Sequence, residues 1–574
     1  MPRPATGRPN ARHSITHSIA LAAALLLAAG TASGCGGGDG GEGPGGSSPG
    51  RSGDQGTGST APSSPGEHSS GRDQDAATTA SPTSSTSGLP RELTGQRLRW
   101  SPCPAPNAAQ GEAGGSPSPL PDGTGWECAT LKAPMNYAKP GGSTVRIEMI
   151  RAKKRDNGRE RVGSLLFNFG GPGGSGVATL PSFGKDYAKL HSRYDLVSFD
   201  PRGVGRSEGV RCLSGKRLDA YFAADWTPDT HGERERLLSR QSAFADACEK
   251  RTGRLLPHLT TENTARDMDL MRHVLGDERL HYFGFSYGTE LGGVYAHLYP
   301  DRVGRAAFDA VVDPTTTPEQ GSLDQAKGFQ LALDNYLAAC ARKGEECPVG
   351  QDPEEAKRRI TELLAQLDAR PLPTDSGRKL TESLAEGGIA QALYSRDLWQ
   401  YLTEGLDEAL GQGDGSTLLL LADSLNGRNQ DGSYSTLQSS LTAIGCADAR
   451  QRYGPHDIER KLPDFTAASP VFGPMSAWGM AQCDGWPVRG RWQTPPVDAK
   501  GSAPILLVGT TGDPATPYEG TRQMQRSLGE GVGVKLTYKG EGHGAYDSGD
   551  DCVRAKVNAY LLKGKVPADG SVCP

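Results

Sequence analysis

The sequence predicts an α/β fold: a mostly parallel central sheet with helices on both faces and a large helical insertion between two of its strands. Three observations predict it. Short apolar runs recur along the chain and end in turn residues, as strands buried on both faces do. Helical stretches separate these runs. One long region, 314–496, breaks the alternation and reads as helix only.

The runs at 145–150, 164–169, 194–199, 280–285, 305–312, 504–508 and 534–538 read as strands. Between them, 263–275 and 291–299 read as helices. Inside the insertion, 323–342, 353–368, 383–407 and 416–425 have helical patterning. An insertion at this point sits over the carboxyl ends of the strands, where open α/β sheets bind ligands. It reads as a cap; a decoration remote from the site is the other reading.

The N-terminus reads differently. Arg3, Arg8 and Arg12 form a positive segment before the apolar run 19–29, which is too short to stay in a bilayer as a spanning helix. Ala32-Ser33-Gly34-Cys35 follows and resembles a bacterial lipobox, with Cys35 as the lipidated residue. Ala32 departs from the leucine more usual there, and cleavage of an ordinary secretory signal is the other reading. The stretch 36–92 is dominated by Gly, Ser, Thr and Pro. It buries too little apolar surface to offset its ordering entropy and reads as a flexible tether. The expected division is therefore a signal over 1–35, a linker over 36–92, a core over 93–313 and 497–574, and a cap over 314–496. An export signal places the protein outside the cytoplasmic membrane, anchored through Cys35 or secreted.

Eleven cysteines suit an exported chain. Without Cys35, ten remain, in local couples and with no CxxC spacing. Sequence alone does not fix their connectivity; pairing neighbour with neighbour gives five bridges. A formal net charge of -5 offers no basic footprint for nucleic acid.

The chemistry lies in loops at strand ends. Gly284-Phe285-Ser286-Tyr287-Gly288 matches G-x-S-x-G, follows an apolar strand and precedes a helix. That context is the nucleophile elbow of the α/β-hydrolase fold, with Ser286 as nucleophile. A serine hydroxyl needs a base, and the base needs an orienting acid; in this fold they follow in the order acid, then histidine. Of the histidines after Ser286, His297 lies in the elbow's own helix and His456 in the insertion. His543, in a glycine-flanked loop after the last strand, is the candidate base. Asp513, in Gly512-Asp513-Pro514, is the candidate acid. Asp313 is its rival, with a turn-capping role as the expected alternative. The loop Gly170-Gly171-Pro172-Gly173-Gly174 lets backbone approach a substrate closely. The N–H groups of Gly171 and Tyr287 are the candidate oxyanion donors. The turn 200–207 (DPRGVGRS) is expected to be structural, with Arg202 in an ion pair.

Taken together, GGPGGSG, DPRGVGRS, GFSYGTELGGVYAHLYP, VVDP, GDPATP and GHG resemble the secreted tripeptidyl aminopeptidases of the prolyl-aminopeptidase superfamily. The likeness runs from about Trp100 to Cys573, and the tail CDGWP and the segment 552–573 share it. It implies a serine exopeptidase acting on peptides with a free N-terminus, with Ser286, Asp513 and His543 as its triad. Asn168-Phe169 stands where prolyl aminopeptidases usually carry a histidine before the glycines. An aminopeptidase needs an acid for the substrate ammonium; Asp484, beside Trp486, is a candidate among the many acids of the cap and the 446–486 region. A carboxylesterase using the same triad is the second reading, and a catalytically inactive peptide-binding lipoprotein the third. No metal-ligand spacing and no dinucleotide fingerprint occurs, so no cofactor and no metal are expected.

Overall fold

The computed structural model describes residues 88–111 and 115–574. The export signal, Cys35 and the linker up to residue 87 lie outside the described residues. Ten strands form one sheet: β1 (Ser101–Pro102), β2 (Glu127–Pro134), β3 (Thr144–Ala152), β4 (Gly163–Asn168), β5 (Tyr194–Phe199), β6 (Leu280–Phe285), β7 (Val303–Asp309), β10 (Ile505–Gly512), β11 (Gly533–Glu541) and β12 (Ser571–Cys573). β8 (Leu372–Pro373) and β9 (Lys379–Leu380) make a separate two-stranded ribbon within the insertion. The order across the large sheet is β1-β2-β3-β5-β4-β6-β7-β10-β11-β12. β1, β2, β3 and β5 pair antiparallel in sequence along the sheet. Every pair from β5 to β12 is parallel. This is the mostly parallel sheet the sequence predicts.

Residues along the parallel strands alternate between two cores. Leu166, Val197, Tyr282, Phe308 and Leu507 fill one face. Leu165, Leu196, Phe283, Phe285 and Leu506 fill the other. The register then positions the site. Phe285 pairs with Asp309, and Asp309 pairs with Val508, so the carboxyl ends of β6, β7 and β10 lie side by side.

The observed elements depart from the sequence reading in a few places. β10 continues to Gly512, so Asp513 follows the strand directly. The stretch 383–407 is two helices, Glu382–Leu393 and Trp399–Asp407, because Ser395 caps a fresh turn at Asp397. Helices His231–Thr252, Leu437–Asp448 and Pro455–Ala468 and strand β2 are further elements beyond those read from the sequence.

The region 314–496 packs in two ways. Its first helices, Pro318–Ala341 through Ser416–Asn426, enclose their own core around Leu333, Ile360, Leu384, Leu402 and Leu418. Helix Leu437–Asp448 instead joins the sheet's core through Ala443, Ile444 and Ala447. Five disulfides link neighbouring cysteines: Cys103–Cys128, Cys212–Cys248, Cys340–Cys347, Cys446–Cys483 and Cys552–Cys573. No described helix is long and apolar enough to cross a membrane.

Arg202 makes the ion pair expected of it. Its guanidinium is fully buried and bonds both Asp267 oxygens, at 2.7 and 2.8 Å. The carbonyls of Pro134, Met135 and His258 accept from its remaining N–H groups. All five donors are thereby used. Arg202→Leu leaves the buried Asp267 carboxylate without its cation and is expected to cost about 3–5 kcal/mol. Urea unfolding of the purified protein measures this; a change below about 1 kcal/mol would contradict the assignment.

Candidate active site

Ser286 occupies the turn between β6 and the helix Tyr287–Leu298, at φ 56° and ψ -126°. A non-glycine residue there stores about 1–3 kcal/mol of strain and persists only where its surroundings enforce it. Two close backbone approaches enforce it. A Cβ on Gly288 would meet the Asn168 carbonyl oxygen at 2.6 Å, so the elbow lies against the end of β4. Gly170 has φ +87°, and a Cβ there would meet the Phe285 carbonyl oxygen at 2.7 Å. Glycine is required at both positions, and the glycine loop runs alongside the nucleophile.

That loop is fixed from behind by Asp200. Its buried carboxylate accepts from Ser175 Oγ, the Val177 and Arg206 amides and Gln110 Nε2. Burial pushes this carboxyl up to about 6, against the pull of the four hydrogen bonds. Gly171 and Tyr287, the candidate oxyanion donors, line the same cavity as Ser286. Tyr287 is also the first residue of the elbow helix, whose amide dipoles favour developing negative charge.

His543 and Asp513 form a buried pair. His543 Nδ1 lies 2.8 Å from Asp513 Oδ1 and 3.0 Å from Oδ2. Asp513 also accepts from the amides of Ala515 and Thr516, both at 2.9 Å, and from Thr516 Oγ1. These bonds hold the carboxylate ready for the Nδ1–H tautomer of His543. The opposite nitrogen, Nε2, is buried and has no hydrogen-bond partner, as is true of Ser286 Oγ. Unliganded sites commonly leave this contact open until substrate arrives.

Asp309, at the end of β7, joins the two halves. Its carbonyl accepts the Ser286 amide at 3.0 Å. Its carboxylate accepts the amides of Ala545 and Tyr546, two and three residues beyond His543. The insertion adds a further support: the Tyr394 carbonyl accepts the His543 amide at 2.8 Å, and the two rings meet edge to face at 5.4 Å.

Several sequence candidates fall elsewhere. Asp313 accepts from Thr315 N and Oγ1, a turn cap with no bond to His543. His297 Nδ1 faces Asp498. Asp484 is exposed and does not line the Ser286 cavity. Asp309, Tyr394 and Thr516 were missed; an acid inside an otherwise apolar strand was the one signal for Asp309. Among the described residues, two groups bring three possible metal ligands together. Asp550 sits with Cys552 and Cys573, whose sulfurs are joined in a disulfide. Asp225 sits with Asp368 and Glu382 of the insertion, Asp368 exposed and the other two half-buried.

A family model described as "TAP-like protein" matches residues 469–573. The "Serine protease Hip1" of Mycobacterium tuberculosis is 36% identical over 496 residues, covering 83% of this chain and 91% of that protein. The "Carboxylesterase B" of the same organism is 35% identical over 458 residues, covering 78% and 86%. The "Tripeptidyl aminopeptidase" of Streptomyces lividans is 32% identical over 457 residues, covering 78% and 83%.

Asp309→Asn places an amide N–H₂ against a backbone N–H. It is expected to lower kcat/KM by about 10- to 100-fold, the scale of losing one charge-assisted hydrogen bond. Kinetics beside a thermal melt check this. Wild-type kinetics in the variant would remove Asp309 from the site's support.

Proposed function

The chain belongs to the tripeptidyl aminopeptidase-like family of α/β-hydrolases, and from that membership we propose that it is an exported serine exopeptidase that cuts short peptides from free N-termini. The observation that carries this reading is the buried Asp513–His543 pair, its outer nitrogen unengaged, tied through Asp309 to the strained Ser286. In this reading Ser286 Oγ attacks the scissile carbonyl carbon while His543 Nε2 takes its proton. Asp513 holds Nδ1–H and stabilises the imidazolium that results. The amides of Gly171 and Tyr287 receive the oxyanion. His543 then protonates the departing amine, leaving an acyl group on Ser286. Water, deprotonated by His543, attacks the acyl carbonyl, releases the excised N-terminal peptide with a free carboxylate and restores the serine.

The reading extends to the chain's organisation. Residues 93–313 and 497–574 form the hydrolase core, and 314–496 act as the cap over the substrate. Export over 1–35, with lipid attachment at Cys35 and a tether over 36–92, would hold the enzyme at the outer face of the cytoplasmic membrane. A carboxylesterase is the second reading, favoured by the 35% identity to a protein of that name.

A purified body lacking the N-terminal leader should release a fluorophore from Ala-Ala-Pro-amide and not from its N-acetylated form. Ser286→Ala should abolish turnover, a drop on the order of 10⁶-fold in kcat, and prevent fluorophosphonate labelling. Asp513→Asn should lower kcat on the order of 10⁴-fold while leaving substrate binding in place. Turnover of a short acyl ester, with indifference to N-acetylation, would transfer the assignment to the esterase reading.

A further inference from the structure

The cavity beginning at Ser286 has a volume of about 330 Å³. Its wall contains four acids, Glu290, Asp313, Asp324 and Glu519, and one lysine, Lys327. Three of these acids are already engaged. Asp313 caps its own turn at Thr315. Asp324 pairs with Lys327 at 3.0 Å and accepts from Gln320. Glu519 faces Arg522 and Arg526.

Glu290 differs from them. It stands one turn after the nucleophile in the elbow helix and is 7% exposed. Among the described residues, neither a hydrogen bond nor a cation reaches its carboxyl group. The acid nearest to it electrostatically is Asp448, whose own carboxylate is occupied by the amide and hydroxyl of Thr261. Burial first, and Asp448 second, push the Glu290 carboxyl up to about 8. Buried polar groups without partners are uncommon in native proteins, and those that persist call for a specific explanation. A buried acid, unpaired and lining the cavity of a nucleophile, is suited to a ligand that brings the missing positive charge.

We propose that Glu290 receives the α-ammonium group of the substrate's free N-terminus inside the Ser286 cavity. An ammonium supplies three donors and a positive charge to a carboxylate that has neither nearby. The other three acids leave it little competition, since each is already bonded. The helix also fixes Glu290 relative to Ser286, about 6 Å along its axis for four residues. The site of ammonium binding is then set by the same rigid element that carries the nucleophile. This inference rests on the exopeptidase reading above.

The test compares wild type and Glu290→Gln on Ala-Ala-Pro-amide, its N-acetylated form and a short acyl ester. Glutamine keeps the shape, removes the charge and replaces one accepting oxygen with an N–H₂ donor. The ratio of kcat/KM for the free-amine peptide to that for the ester should fall about 10- to 100-fold, the scale of one hydrogen bond to a charged group. Glu290→Met serves as the second variant if glutamine impairs folding, and should give the same fall. A ratio unchanged from wild type, while wild type itself requires the free amine, overturns the role of Glu290 and leaves the exopeptidase reading standing. An equal loss on all substrates, with slower fluorophosphonate labelling, marks a structural role and also overturns it. Indifference of the wild type to N-acetylation removes both.

Discussion

The Asp309 carboxylate is the junction on which the geometry of the site depends. Three backbone amides, those of Ala310, Ala545 and Tyr546, converge on its two oxygens, and its own carbonyl takes the amide of Ser286. The elbow and the histidine loop come from strands that are not adjacent, β6 and β11. Nothing in the sheet's own ladder forces them into one position. Asp309 sits on β7 between them and does so with hydrogen bonds to main chain, which side-chain changes in either loop cannot remove. The cost is the burial of a carboxyl group, which pushes it up to about 6. Charge-assisted bonds to backbone amides offset such a cost more fully than neutral ones. Strain accompanies the arrangement, since Ala310 and Ser286 both adopt positive φ, at 55° and 56°. Such strained residues persist where neighbouring contacts over-determine them, and here one residue supplies contacts to both sides.

The insertion is bound into the same construction. Tyr394 caps the inserted helix Glu382–Leu393 at its C-terminus and gives its carbonyl to the His543 amide. At the other end, Asp448 finishes helix Leu437–Asp448 and accepts from Thr261. Thr261 Oγ1 in turn lies 2.6 Å from the hydroxyl of Tyr287, the residue after the nucleophile. Two separate segments of the insertion therefore reach the two loops on which the chemistry turns. Displacing the insertion would move the histidine main chain and the elbow side chains together. Its first helices enclose a hydrophobic core apart from the sheet's, helix Leu437–Asp448 packs into the sheet's own core, and these polar contacts keep both parts in register with the site.

The parallel strands are legible in the sequence because both their faces are buried, which leaves unbroken apolar runs such as LLF in β4 and ILLV in β10. β2 is not, because it lies in the antiparallel margin and turns Thr130 and Lys132 outward. Helix Leu437–Asp448 escapes for the opposite reason: it is buried nearly all round, so no polar face marks its period. Helix His231–Thr252 buries only a thin stripe, Leu237, Gln241, Phe244, Ala245 and Cys248, on an otherwise charged surface. The sequence leaves the cysteine connectivity open, and the structure joins neighbour with neighbour, each bridge closing a local loop. Ser286, Asp513 and His543 stand out as candidates because each lies in a short loop at a strand end, dense in glycine or proline. Asp309, Tyr394 and Glu290 have no such marking. Their roles arise from contacts between segments far apart in the chain, and no local pattern records those.

The position of Glu290 also bears on how binding and chemistry are joined. It lies in the first turn of the helix whose leading amide faces the cavity at Ser286. A negative charge there opposes the negative charge that grows on the substrate oxygen during attack, in a cavity where screening by water is weak. Burial keeps the carboxyl group protonated to a higher pH than usual and so moderates that opposition in the empty enzyme. A bound ammonium removes it altogether, because the ionised pair is neutral overall. A substrate without a free amine either leaves the group protonated, forgoing the ion pair, or meets an unopposed charge beside the reacting centre. Discrimination of this kind is felt as the transition state forms, which is where binding energy raises rate instead of only occupancy.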